Sequence, residues 1–129
     1  MTLGPGSSLE DVALAVAISL KSAGIRAILT GGACAGIHTG GLYTSSDLDF
    51  VVPEREERAS VGQALAALGF FRTGNTYSHP AVEFVIEFLP GPLAIGADMN
   101  VRPAVVRVPG GVITGLSATD SCRDRLAAW

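Results

Sequence analysis

Apolar residues recur at helical spacing in some stretches of the chain and at strand spacing in others. Val12, Val16 and Leu20 mark one face of a helix from about Leu9 to Ala23. Ser8 suits its N-cap, with Asp11 three residues on as an Asp form of the capping box, and Gly24 suits a left-handed stop. Ile25–Leu29 reads as a short buried strand ending in Thr30-Gly31-Gly32, followed by a short helix over Ala33–His38 that Thr39-Gly40-Gly41 closes. Asp47–Val52 alternates acid and apolar residues before Pro53, as a strand does. Glu54–Leu68 predicts one long helix, with Glu54, Glu56 and Glu57 at its positive end, Val61, Leu65 and Leu68 as its buried stripe, and Gly69 as its stop. Strand pieces at Phe70–Thr73 and Tyr77–Ser78 flank a Gly74-Asn75 turn, and Val82–Leu89 is a clear further strand ended by Pro90. Short strands near Val105–Val108 and Val112–Thr114 precede a last helix that opens at Thr119 or Asp120 and runs to Trp129. Met1–Ser7 reads as a loose leader.

Helices interleaved with strands predict an α/β (α+β) class, a mixed β-sheet with flanking helices. A chain of 129 residues corresponds to one domain. The 16 glycines and 7 prolines cluster beside apolar segments, as at Gly31-Gly32 and Pro90-Gly91-Pro92, and so punctuate short elements. Acids outnumber bases 12 to 9, and Lys21 is the one lysine. That balance excludes a broad basic nucleic-acid surface, which needs clustered Lys and Arg, but leaves room for a small nucleotide carried by a metal ion. Cys34 and Cys122 form no CxxC or Cys/His spacing and read as reduced thiols of a cytoplasmic protein. No basic leader region precedes the first apolar stretch, and no apolar run reaches the roughly 18 residues that span a bilayer.

The sharpest chemical feature is Asp47-Leu48-Asp49. Residues two apart on a strand share a face, so both carboxylates project together while Leu48 and Phe50 face the core. Like charges that close repel unless a cation sits between them, and hard oxygen ligands at this spacing suit Mg²⁺. An exposed strand with an acidic polar face has the same pattern. Gly31-Gly32, after an apolar strand and before a helix, lets backbone N–H groups approach a phosphate, although a tight strand-to-helix turn would use the same pair. Neither a Walker loop nor a dinucleotide fingerprint is present. A two-metal site needs a third carboxylate. Glu83 and Glu87 share the parity to face the Asp pair, and Glu87 is the better candidate because its apolar run makes an unpaired charge costly. The competing view is a surface acid on an edge strand.

Gly-Gly, a spacer, Asp-x-Asp in a strand and a carboxylate on a neighbouring strand resemble the nucleotidyltransferase superfamily. The likeness is to small bacterial members related to abortive-infection toxins and, more distantly, to aminoglycoside nucleotidyltransferases. It extends to His79-Pro80, Pro90-Gly91-Pro92-Leu93, Leu116-Ser117-Ala118-Thr119-Asp120 and Asp124-Arg125-Leu126. It implies a mixed sheet with the active site at one edge, Gly31 and Gly32 at the triphosphate, Asp47 and Asp49 on Mg²⁺, and Glu87 as third carboxylate at a site for two ions. The implied reaction moves a nucleoside monophosphate from a nucleoside triphosphate to a hydroxyl acceptor. Three features depart from the pattern. The spacer Ala33–Ser46 is long, Thr44-Ser45-Ser46 stands where relatives often carry a basic residue, and the sequence ends at Trp129, where many relatives continue into helices that close over nucleotide or acceptor. They raise the expectation of a minimal, partner-dependent or degenerate member.

The remaining residues carry weaker signals. Cys34 and His38, one helical turn apart, lack further ligands for a soft metal and read as core groups; His79 reads as a loop residue. Asp120 and Asp124 read as cap and surface groups, with Arg125 within reach of a phosphate, and Arg72 and Arg102 as stray phosphate contacts. Against the transferase stand a catalytically degenerate module of the same fold, as in one half of a toxin–antitoxin pair, and a plain α/β interaction domain. The apolar-rich composition also suits a homodimer or a cognate partner protein.

Overall fold

The computed structural model describes residues 3–128. Helix α1 (Leu9–Ser22) starts where the capping box places it: Ser8 Oγ accepts from Asp11 N–H at 3.1 Å, and an Asp11 carboxylate oxygen accepts from Ser8 N–H at 3.0 Å. It ends at Gly24 (φ +75°), where Gly24 N–H and Ile25 N–H reach back to the carbonyls of Lys21 and Leu20. That cap uses Ile25, so strand β1 is Ile28–Thr30 and not Ile25–Leu29. The leader is not loose in its described part. Gly4 N–H donates to Ser7 Oγ, Ser7 N–H returns to Gly4 O, and Leu3 is buried in the core; residues 1 and 2 lie outside the described range.

Helix α2 (Gly31–His38) begins two residues before the expected Ala33, so the Gly-Gly pair forms its first turn. Strand β2 (Asp47–Val52) has the bounds its alternation predicts. The helix expected over Glu54–Leu68 is broken into α3 (Arg55–Arg58) and α4 (Val61–Ala66). The apolar stripe covers only the second half, where Val61, Ala64 and Leu65 are buried. The charged first half is tied elsewhere, with Arg58 Nη1 donating to the carbonyls of Val52 and Pro53. Strands β3 (Phe71–Thr73), β4 (Thr76–His79), β5 (Val82–Pro90), β6 (Ala104–Val108) and β7 (Gly111–Gly115) follow. Pro90 pairs as the last residue of β5, and His79 closes β4 instead of lying in a loop; its Nδ1 accepts from Ala81 N–H and its ring meets Phe70 edge-on at 5.1 Å. Helix α5 (Ala118–Ala128) opens one or two residues earlier than expected, because Ser117 Oγ accepts from Asp120 N–H.

The seven strands form one mixed sheet in the order β3-β4-β5-β2-β1-β7-β6. Strands β2 and β5 run parallel, with Leu48 opposite Ile86, Asp49 opposite Glu87 and Phe50 opposite Phe88. Leu48, Phe50, Val52 and Ile86 enter the same core as Val12, Val16 and Leu20 of α1, Ala33 and Cys34 of α2, and Val61 and Leu65 of α4. The odd-numbered residues of β2 and β5 occupy the other face. Since β2 is the middle strand and β5 its neighbour, Glu87 is not on an edge strand and the acidic face lies at the centre of the sheet, not at the edge the resemblance implies.

This two-faced strand yields a direct comparison by chemical denaturation. Leu48→Ala, at a fully buried position, is expected to cost about 2–5 kcal/mol. Asp47→Ala, one residue away on the exposed face, is expected to stay within about 0.5 kcal/mol of the parent. Equal losses would contradict the assignment of faces.

Candidate active site

Neighbouring strands lie about 4.8 Å apart and residues two apart on a strand about 6.6 Å, so the register sets Asp47, Asp49 and Glu87 on one compact patch of sheet. Asp47 is exposed at the start of β2, where Ser45 Oγ accepts from its N–H and donates to its carbonyl. Asp49 is half-buried further along. Partial burial, then the charges of Glu87 and Asp47, and lastly Asp124, push its carboxyl above the usual carboxylate range; Arg125 pulls the other way. Glu83 shares the parity of Glu87 but sits at the strand entrance, bordering a cavity of about 640 Å³ with Glu10, Tyr43, Ser45 and Ser46.

Gly31 is required twice over. Its φ is +66°, and a Cβ built on it would lie 2.7 Å from Asp49 Oδ2. The turn from β1 into α2 therefore presses its backbone directly against the second carboxylate. A Cβ on Gly32 would meet the Tyr43 ring at 2.9 Å and Ser45 at 3.3 Å, so this glycine admits the 39–46 loop against α2. Thr30, the N-cap of α2, does not cap with its side chain; its Oγ1 donates to the carbonyl of Asp49 and ties β1 to β2 beside the acids. Gly31 N–H instead donates to Asp124 Oδ2 of α5 at 3.2 Å, and Arg125 Nη2 donates to the same oxygen at 3.0 Å.

Asp124 is therefore a member of the acidic patch and not a surface group, and Arg125 is the cation that acts on Asp49. Nothing in their local sequence reveals this, since 93 residues separate Asp124 from Gly31; the one hint is their place in a segment that resembles the family. Tyr43, against Gly32, likewise carries no signal in its local sequence. Arg72 donates to Gly74 O inside the β3–β4 turn, Arg102 is exposed, and neither is among the charges acting on Asp49. Cys34 and His38 both point at the Leu116 carbonyl, with Sγ at 3.6 Å and Nε2 at 2.7 Å, so they secure the end of β7 in the core. Burial, foremost, raises the Cys34 thiol above its usual range, against the pull of its hydrogen bonds. Cys122 is exposed, and the two cysteines are not joined.

The donor set is all oxygen, with no thiolate or imidazole in the patch, which suits a hard divalent cation. Among the described residues no three His, Cys, Asp or Glu side chains close around one point. A cation held here would take its remaining ligands from water and from substrate phosphate, as Mg²⁺ does.

Two outcomes test this geometry. Gly31→Ala is expected to destabilise by more than about 1 kcal/mol, and the Gly31→Ala/Asp49→Ala pair by less than the sum of its singles, because the second change removes the clash and leaves only the backbone strain. Additive losses in a double-mutant cycle would separate the two residues. In metal-free buffer, Asp49→Asn is expected to raise the unfolding midpoint near pH 7. The raised folded-state affinity means that ionising Asp49 costs stability as pH rises through its folded range. The gain should vanish below the ordinary carboxylate range, where the proton is bound in both states. A pH-independent difference would refute the shift.

No family model matches the chain, and no curated protein matches it in sequence. Solved structures do match it. ANT(2″)-Ia in complex with adenylyl-2″-tobramycin superposes with a TM-score of 0.60 at 12% identity, over 92% of this chain and 87% of that one. An antigenic nucleotidyltransferase-like protein from Paracoccidioides brasiliensis gives 0.67 at 15%, over 96% and 76%. The solution structure of the antibiotic-resistance factor ANT(2″)-Ia gives 0.51 at 15%, over 81% and 60%. At such identities the likeness speaks for architecture, and with the mixed seven-stranded sheet it establishes that this chain has the fold of the nucleotidyltransferase superfamily.

Proposed function

We propose that the protein is a metal-dependent nucleotidyltransferase that moves a nucleoside monophosphate from a nucleoside triphosphate to a hydroxyl acceptor. The observation that carries this reading is the β2–β5 register, which sets Glu87 beside Asp49 on the face Asp47 shares, with the backbone of Gly31 against Asp49. The adenylylated tobramycin bound by ANT(2″)-Ia supports a nucleotidyl group as the moiety transferred.

Asp47 and Asp49 are the ligands assigned to Mg²⁺, with Glu87 completing a site for two ions. Bound there, Mg²⁺ would neutralise phosphate charge and acidify the acceptor hydroxyl. The chain's own groups do the rest. The Gly31–Gly32 turn at the head of α2 binds the triphosphate through its backbone. Glu87 accepts the proton of the acceptor hydroxyl as its oxygen bonds to the α-phosphorus; the α–β anhydride bond breaks, and pyrophosphate leaves. Asp49, whose proton affinity is raised by partial burial and then by its acidic neighbours, is a carboxylate whose ionised form gains from a cation beside it.

A second reading keeps the fold without the reaction, as a nucleotide-binding or protein-interaction module, including one half of a toxin–antitoxin pair. Thr44-Ser45-Ser46, which puts no basic residue ahead of the acid pair, favours it. Calorimetric titration with ATP, GTP, CTP and UTP, with and without Mg²⁺, tests both. Metal-dependent binding of at least one nucleotide is expected. Pyrophosphate release should fall by about 100-fold or more in Asp49→Asn. Binding without turnover in the parent would favour the module, and no metal-dependent binding to any of the four would sink the transferase.

A further inference from the structure

The Gly31 N–H at the proposed phosphate seat is already engaged by an anion of the protein itself. Asp124 Oδ2 accepts from Gly31 N–H at 3.2 Å and from Arg125 Nη2 at 3.0 Å. One oxygen thus sits between a backbone amide at a helix N-terminus and a guanidinium, the two donors that phosphate oxygens favour. The match is incomplete on the arginine side. A guanidinium grips an oxyanion bidentately through two adjacent N–H groups, yet Arg125 Nε–H is buried with no partner among the described residues. Asp124 takes half of that fork and leaves the other half unused. Its charge also adds to those of Asp47, Asp49 and Glu87, so the arrangement leaves one acid more on Asp49 than the proposed chemistry needs.

We propose that Asp124 stands in for a phosphate oxygen of the nucleoside triphosphate in the resting protein, and that Arg125 is a further triphosphate-positioning residue. The inference rests on the nucleotidyltransferase reading. When the phosphate chain takes the Gly31 N–H, the Asp124 carboxylate withdraws under like-charge repulsion. Arg125 then passes from carboxylate to phosphate and engages Nε as well as Nη2. It thereby supplies the positive charge that Thr44-Ser45-Ser46 lacks ahead of the acid pair.

A plain capping role for Asp124 predicts the opposite sign of effect, and this makes the proposal testable. Binding of Mg·ATP and of magnesium tripolyphosphate is measured by calorimetry for the parent, Asp124→Asn, Arg125→Gln, Arg125→Lys and Asp120→Asn, each checked for folding by thermal melting. Asp124→Asn is expected to tighten both probes by about 3–10-fold, and Arg125→Gln to weaken them by about tenfold. Arg125→Lys should recover only part of that loss, since lysine restores the charge but not the fork. Asp120→Asn removes the same charge one helical turn away and should leave affinity unchanged. Weaker or unchanged binding in Asp124→Asn, unchanged binding in Arg125→Gln, or equal tightening in Asp120→Asn would overturn the proposal while nucleotide binding stands. If Asp124→Asn fails to fold, the two Arg125 variants decide it. No binding of either probe by the parent or by folded Asp124→Asn would remove the nucleotide reading and the proposal together.

Discussion

The parallel pairing of β2 with β5 is the constraint on which the rest of the molecule depends. Its register is held from the apolar side. Leu48 lies opposite Ile86, Phe50 stacks on Phe88 with ring centroids 5.9 Å apart, and Val52 is fully buried at the far end. A slip of one residue would turn that whole set to solvent and drive the carboxylates inward, so the core enforces the arrangement of charges on the opposite face. The acids do not attract one another into place. They are held together, against their repulsion, by packing on the other side of the sheet.

What gathers around them is a concentration of charge on one patch of sheet. Asp49 is raised by burial and by its acidic neighbours, Gly31 comes so close that no side chain fits, and Arg125 is the cation acting on Asp49. Sites that break the rules of stable packing in this way, while the surrounding core obeys them, are where function is expected. The helix that brings Asp124 and Arg125 is secured independently of that chemistry. Ser117 caps its start, and Arg123 pairs with Asp98 and Asp120 on its outer side. These exposed pairs contribute little to stability, and the contact that joins α5 to the site is Asp124 on Gly31 N–H.

Much of the local structure was legible in the chain. The Ser8/Asp11 box, the alternation of Asp47–Val52 and the Gly74-Asn75 turn each depend on residues within a few positions of one another, and each formed where those residues indicate. Expectations departed from the structure where a distant partner decided the outcome. Ile25 was claimed by the cap of α1, the helix over Glu54–Leu68 was split between two anchors, and Leu3 drew the leader into the core.

The sequence by itself determined that Asp47 and Asp49 share a face, because a strand has a period of two, and that Glu87 has the parity to join them. Only the tertiary structure decided that β5 lies beside β2 with Glu87 level with Asp49, and that this pair sits mid-sheet. Only it showed that Gly31 belongs to helix α2 and donates to Asp124. The reason is physical. Periodicity and capping are properties of neighbouring residues along a chain, whereas strand order and the docking of α5 follow from how the apolar faces of distant segments close over one core.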